Sequence, residues 1–136
     1  MIFDEDNAFH QKLRRRDQIL GFLEIAASIE EQLEYEKTVP FAHVQDEMIV
    51  NWNMGQPLDK ISDPFPKEVY SDDEVTALLE FDRAVETVWP YVKGSSKPIA
   101  ELKQEPYWRD YVTAAAKTRD VLLKRGYTFA FQEDRY

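Results

Sequence analysis

The stretch SDDEVTALLEFDRAVETVW, Ser71 to Trp89, carries the clearest folding signal in the chain. Ser71-Asp72-Asp73-Glu74 has the form of a capping box: the Ser71 hydroxyl can accept from the amide of Glu74, and the Glu74 carboxylate can reach back to the amide of Ser71. Asp72 and Asp73 also suit the positive end of a helix dipole. Val75, Leu78, Phe81, Val85, Val88 and Trp89 recur at helical spacing, and Pro90 restricts the residue before it. The stretch therefore predicts an amphipathic helix over about 72–89.

Breaks on either side divide the rest of the chain into similar blocks: Pro40, the segment from Gly55 to Ser71 with Pro57, Pro64 and Pro66, then Gly94 to Pro98, then Gly126. The first block, about 7–37, has two apolar stripes. Phe9, Leu13, Leu20, Leu23 and Ala27 form one; Ile19, Phe22, Ala26, Ile29 and Leu33 form the other. Two explanations fit: one long helix meeting different neighbours at its two ends, or a bend near 17–21. Gly21 favours the bend, because glycine is poor in a helix interior.

In the second block, about 41–53, Phe41, Val44, Met48, Ile49 and Trp52 follow a helical period. Alternation over 49–54 leaves a strand as the rival. The last block, about 98–125, opens with a short turn and restarts at Pro106 in first-turn position. Lys124, Arg125 and Gly126 read as its end, with Tyr127 folding back on Leu122. Residues 127–131 alternate and are expected to be extended, lying on the helices or pairing with 49–54 if those are strand. The fold class expected is all-α: a single compact irregular bundle of four to five helices, with an extended C-terminal tail.

Composition narrows function by exclusion. The 136 residues include 17 Lys+Arg against 26 Asp+Glu, a net charge of −9, and no cysteine. A thiol nucleophile, a disulfide scaffold and a cysteine-ligated metal are thereby excluded. An acidic chain is a poor nucleic-acid binder. No apolar run has membrane-spanning length, and the acidic start (Met1-Ile2-Phe3-Asp4) is unlike a secretory signal. A cytoplasmic location is the expectation. Residues 1–38 carry −4, 39–93 carry −7 and 94–136 carry +2, so the middle third holds most of the excess.

Charges on apolar arcs mark sites of expected pairing. Asp82 projects between Val75 and Trp89, and Arg119 between Trp108 and Val112. An unpaired buried charge costs several kcal/mol, so an internal Asp82–Arg119 ion pair is predicted. Arg16 lies beside Phe9 and Leu23 and is expected to lay its stem on apolar surface with a wet head. Trp52, Trp89 and Trp108 read as core.

The leading functional expectation is a non-catalytic, acidic protein-binding domain of the immunity, inhibitor or adaptor type. It would engage a more basic partner protein through Asp46, Glu47, Asp72, Asp73 and Glu74, without cofactor, nucleic acid or membrane. The alternative of a different class is a Mg²⁺-dependent hydrolase using Glu30, Glu31, Glu34 and Glu47. Glu31 and Glu34 resemble the Glu-x-x-Glu that opens the all-α nucleotide pyrophosphatases. That resemblance implies a nucleotide substrate and a second acidic pair. The next candidates, Asp46 and Glu47, then Asp59 and Asp63, do not reproduce a Glu-x-x-Asp. His43 and Glu47 could share a helix face, but two ligands do not make a metal site. A homo-oligomer formed through exposed aromatics is a third reading.

Overall fold

Ser71 caps its helix as the sequence predicts. Its side chain accepts from the Glu74 amide at 3.2 Å, and the Glu74 carboxylate accepts from the Ser71 amide at 3.0 Å. The helix so begun is the fourth of six in a computed structural model that describes residues 2–38, 44–54, 64–95 and 97–128. In chain order they are α1 (Ile2–Ala26), α2 (Ile29–Thr38), α3 (Val44–Met54), α4 (Asp72–Val92), α5 (Ile99–Leu102) and α6 (Pro106–Leu123). The protein is an all-α bundle, and no strand occurs among the described residues. Residues 49–54 are helical, which removes the strand alternative and a pairing of 127–131 with them. The expectations for 41–43 and for 129–131 lie outside the described residues.

α6 is the centre of the bundle. It runs antiparallel to α4, as the Thr118 hydroxyl bonded to the Ala77 carbonyl (3.2 Å) and the Tyr107–Tyr91 stack show. It also runs antiparallel to α1, with Leu122 beside Arg16 at one end and Trp108 beside the start of α2 at the other. α3 lies antiparallel along α4: the Gln45 amide donates to the Ser95 and Lys97 carbonyls past the end of α4, and Trp52 reaches Asp82 in its middle. Leu20, Leu23, Ile49, Leu78, Phe81, Ile99, Leu102, Trp108, Tyr111 and Leu122 fill the resulting core. Aromatic pairs such as Trp52–Phe81 (4.8 Å, edge-on) and Trp108–Tyr111 (4.8 Å) lock it.

Two boundaries differ from those read in the sequence. α1 is continuous through 17–21, and the first block breaks instead at Ala27 and Ser28. Gly21 does not bend α1; it lies under Tyr127, whose hydroxyl is 3.7 Å from where a Cβ would stand. Both apolar stripes reach the core through Ile19, Leu20, Leu23 and Ala26, because α1 packs against both α6 and α2, while Phe9 stays exposed. At the real break the Ser28 hydroxyl caps α2 by accepting from the Glu31 amide at 3.2 Å. The Gln32 side-chain amide donates to the Ile25 and Ala26 carbonyls at the end of α1, the first of which also accepts from the Ser28 amide at 3.1 Å. The second difference is Pro90, which lies inside α4 rather than ending it. The helix continues one more turn because Val92 is fully buried there and the Lys93 amide still bonds the Trp89 carbonyl at 2.9 Å.

α6 stops at Gly126, whose φ is +76° and whose amide bonds the Leu122 carbonyl. Nothing lies within 4 Å of where its Cβ would be, so backbone conformation alone opposes a side chain. Gly126→Ala is therefore expected to destabilise by about 1 kcal/mol, read as a lowered denaturation midpoint at unchanged slope.

Candidate functional site

The most concentrated polar chemistry lies where α1, the start of α4 and the end of α6 converge. Arg16 and Glu74 are each 1% exposed and bond at 2.7 Å. Arg125 approaches the same carboxylate with both Nε (3.0 Å) and Nη2. Nη1 of Arg16 donates to the Gly126 carbonyl at 2.7 Å, and Nη2 also bonds the Leu122 carbonyl at 3.0 Å. Each charge sits at the helix end of opposite polarity: an anion at the α4 N-terminus and a cation at the α6 C-terminus. Burial alone would raise the Glu74 pKa. Hydrogen bonds from Arg125, Arg16 and the Ser71 amide outweigh it and hold the carboxyl at about 2. Beside this centre, the Asp17 carboxylate accepts from the amide and the hydroxyl of Thr128, both at 2.7 Å.

This arrangement corrects two expectations. Glu74 is no docking residue, because its oxygens are consumed inside the protein. Arg16 does not keep its head in water; it is drawn in by the carbonyls that end α6 and by a carboxylate 58 residues away. A third correction concerns Asp82 and Arg119, which do not pair. Asp82 accepts from the buried Trp52 indole N–H at 2.9 Å, since that donor needs an acceptor once Trp52 enters the core. Arg119 turns to its neighbour Asp120 at 3.0 Å.

The remaining docking candidates fall into two pairs. Asp72 and Asp73 are exposed in the first turn of α4. Asp46 and Glu47 open α3, beside the far end of α4. With 21 residues in α4 and about 1.5 Å of rise per residue, the two pairs are about 30 Å apart. Glu47 instead meets α2, where it accepts from the Tyr35 hydroxyl at 3.1 Å; that hydrogen bond, then burial, raises the tyrosine pKa.

The structure does not assemble the alternative Mg²⁺ set. Glu30, Glu31 and Glu34 are exposed on α2, Glu34 lies 3.7 Å from Lys37, and Glu47 is engaged by Tyr35. Among the described residues no three His, Asp or Glu side chains come close enough to hold a metal ion. His43, Asp59 and Asp63 lie outside the described residues.

A groove that has no signature in the sequence lies on the seam between α4 and α6. Its volume is about 420 Å³, and Ala84, Thr87, Val88 and Tyr91 line one wall. Pro106, Tyr107, Asp110 and Tyr111 line the other. The rings of Tyr91 and Tyr107 stack at 4.7 Å and 11° and close one end. Farther along the seam Lys117 and Glu80 meet at 3.6 Å. The Tyr111 hydroxyl is buried without a hydrogen-bond partner, and burial raises its pKa.

Fold and side chains together define an all-α bundle with a buried ionic centre, a carboxylate-rich α2–α3 end and a tyrosine-lined groove. Comparisons with models of known protein families, with curated proteins and with solved structures find no match. No helix among the described residues is long and apolar enough to cross a membrane.

Proposed function

We propose that this chain is a non-catalytic binding domain that engages a more basic protein through its α2–α3 end. The observation that carries the reading is the pairing of these two helices. Glu30, Glu31, Glu34 and Glu36 on α2 and Asp46 and Glu47 on α3 face a single opposing cation on the same helices, Lys37. Glu36 is partly spent on the Ile99 amide at 2.9 Å and Glu47 on Tyr35, which fixes the ridge against the bundle. Glu30, Glu31 and Glu34 stand exposed and Asp46 is half-buried beside them; like charges so gathered raise the local potential and speed encounter with a cationic surface. Asp46 and Glu47 belong to this ridge, whereas Asp72 and Asp73 stand about 30 Å away at the other end of α4. The reading places the chain in the cytoplasm, acting on protein rather than on nucleic acid or membrane.

The test is affinity capture from the host proteome with two baits, the wild type and a variant carrying E31K, E34K, D46K and E47K. A basic protein is expected on the wild type, released by salt and lost from the variant. Its association rate, once purified, should fall at least tenfold on reversal at low ionic strength. Identical captures on both baits would dismiss the reading.

A further inference from the structure

We propose that the groove between α4 and α6 binds a small organic ammonium compound, with Asp110 as counter-ion and the tyrosine pair against its apolar body. The proposal is independent of the α2–α3 ridge. The groove's 420 Å³ falls in the range of small-molecule sites. Its depth comes from small side chains: Ala84 and Thr87 on α4 fall between the Tyr91–Tyr107 stack and the Glu80–Lys117 pair.

The polar groups of the groove are biased toward accepting hydrogen bonds. Asp110 is the one charged residue lining it, and it makes no ion pair among the described residues. The Thr87 hydroxyl already donates to the Arg83 carbonyl at 2.9 Å, so only its lone pairs remain. Tyr111 contributes its ring to the wall, its hydroxyl being buried. A ligand that matches the carboxylate and the threonine oxygen must bring donors and positive charge. An ammonium has three donors and no acceptor. The walls around these groups are carbon-rich (Ala84, Val88, Pro106 and the faces or edges of two tyrosines), which suits an apolar chain or ring and favours a nearby cation. An anion would meet Asp110 unshielded, and a wholly apolar ligand would strand the carboxylate and the threonine oxygen.

The experiment is a calorimetric and NMR titration of the whole chain with 2-phenylethylamine and, separately, with its neutral counterpart 2-phenylethanol. Saturable binding of the amine is expected, at least tenfold tighter than the alcohol, with shifts at Ala84, Thr87 and Tyr111. Asp110→Asn, at an exposed position, should remove the preference for the amine while leaving the melting temperature unchanged. Ala84→Leu should fill the groove and block both compounds; a melt identifies any loss that comes from unfolding. The proposal is overturned if the wild type shows no saturable amine binding, if amine and alcohol bind alike, or if Asp110→Asn binds the amine as the wild type does. Saturation by N-acetyl-lysine methylamide with exclusion of 2-phenylethylamine would also overturn it, in favour of a protein side chain.

Discussion

Glu74→Gln is expected to cost about 3 kcal/mol of folding stability, because it removes the carboxylate that Arg16 and Arg125 share and leaves the buried Arg16 only Asp17, 3.9 Å away, as counter-charge. The glutamine fills the same volume, so the loss reports charge rather than packing. Acid titration gives an independent reading of the same group. Its carboxyl is held at about 2 in the folded chain against an ordinary 4.5. A group whose folded pKa is depressed contributes its full stabilisation above the unfolded value and loses it as pH falls toward the folded one. Wild-type stability should therefore decline between about pH 5 and pH 2 by about 3 kcal/mol from this residue alone. Denaturant unfolding at several pH values checks both points: the variant should be weaker at neutral pH and should lack that part of the acid slope. A variant within about 0.5 kcal/mol of wild type at pH 7 would mean that the buried pair does not hold α1 in place.

Trp108→Ala should be comparably severe, at about 3–5 kcal/mol from lost burial and the cavity left behind. Trp108 is fully buried against Tyr111, and its indole N–H donates to the Gln32 side chain at 3.0 Å. Gln32 in turn pairs the last carbonyls of α1. Removing the indole thus empties a core site and orphans a buried amide oxygen, the second effect worth about 1–3 kcal/mol by itself. Trp108→Phe separates them, since it keeps most of the volume and loses only the hydrogen bond. Equilibrium unfolding of the two variants should show the alanine clearly weaker. Equal losses in both would assign the effect to the hydrogen bond rather than to packing.

Local chemistry was legible in the sequence wherever one stretch contains both partners. Ser71 with Glu74, Pro106 at the start of α6 and Gly126 at its end all stand where the pattern puts them. The turn at Ala27 and Ser28 was legible in the same way, since Ser28-Ile29-Glu30-Glu31 repeats the Ser-x-x-Glu pattern; Gly21 drew the break to the wrong place. Pairings across the fold were not legible. Arg16 stood out as a charge on an apolar arc, and Glu74 as a cap. Nothing local says that 58 residues later one becomes the other's partner. Asp82 likewise found Trp52 rather than Arg119, because the antiparallel placement of α3 on α4 decides who is near. The same placement separates Asp46 and Glu47 from Asp72 and Asp73, which proximity in charge profile had joined. The groove left no signal in the sequence because it is made by small residues on two helices at once.

The clasp between the two ends of the described chain bears on the order in which the protein assembles. Arg16 bonds the carbonyl of Gly126, and Asp17 the backbone and side chain of Thr128, across 110 and 111 residues. Contacts so remote along the chain raise the contact order and slow the search for the native state. α1 leaves a ribosome before α6 and is accordingly sealed only after α6 has followed. Until residues past 122 emerge, the stripe containing Leu20 and Leu23 has no α6 to cover it, and the nascent chain must pass that interval with greasy surface open to aggregation or to a chaperone.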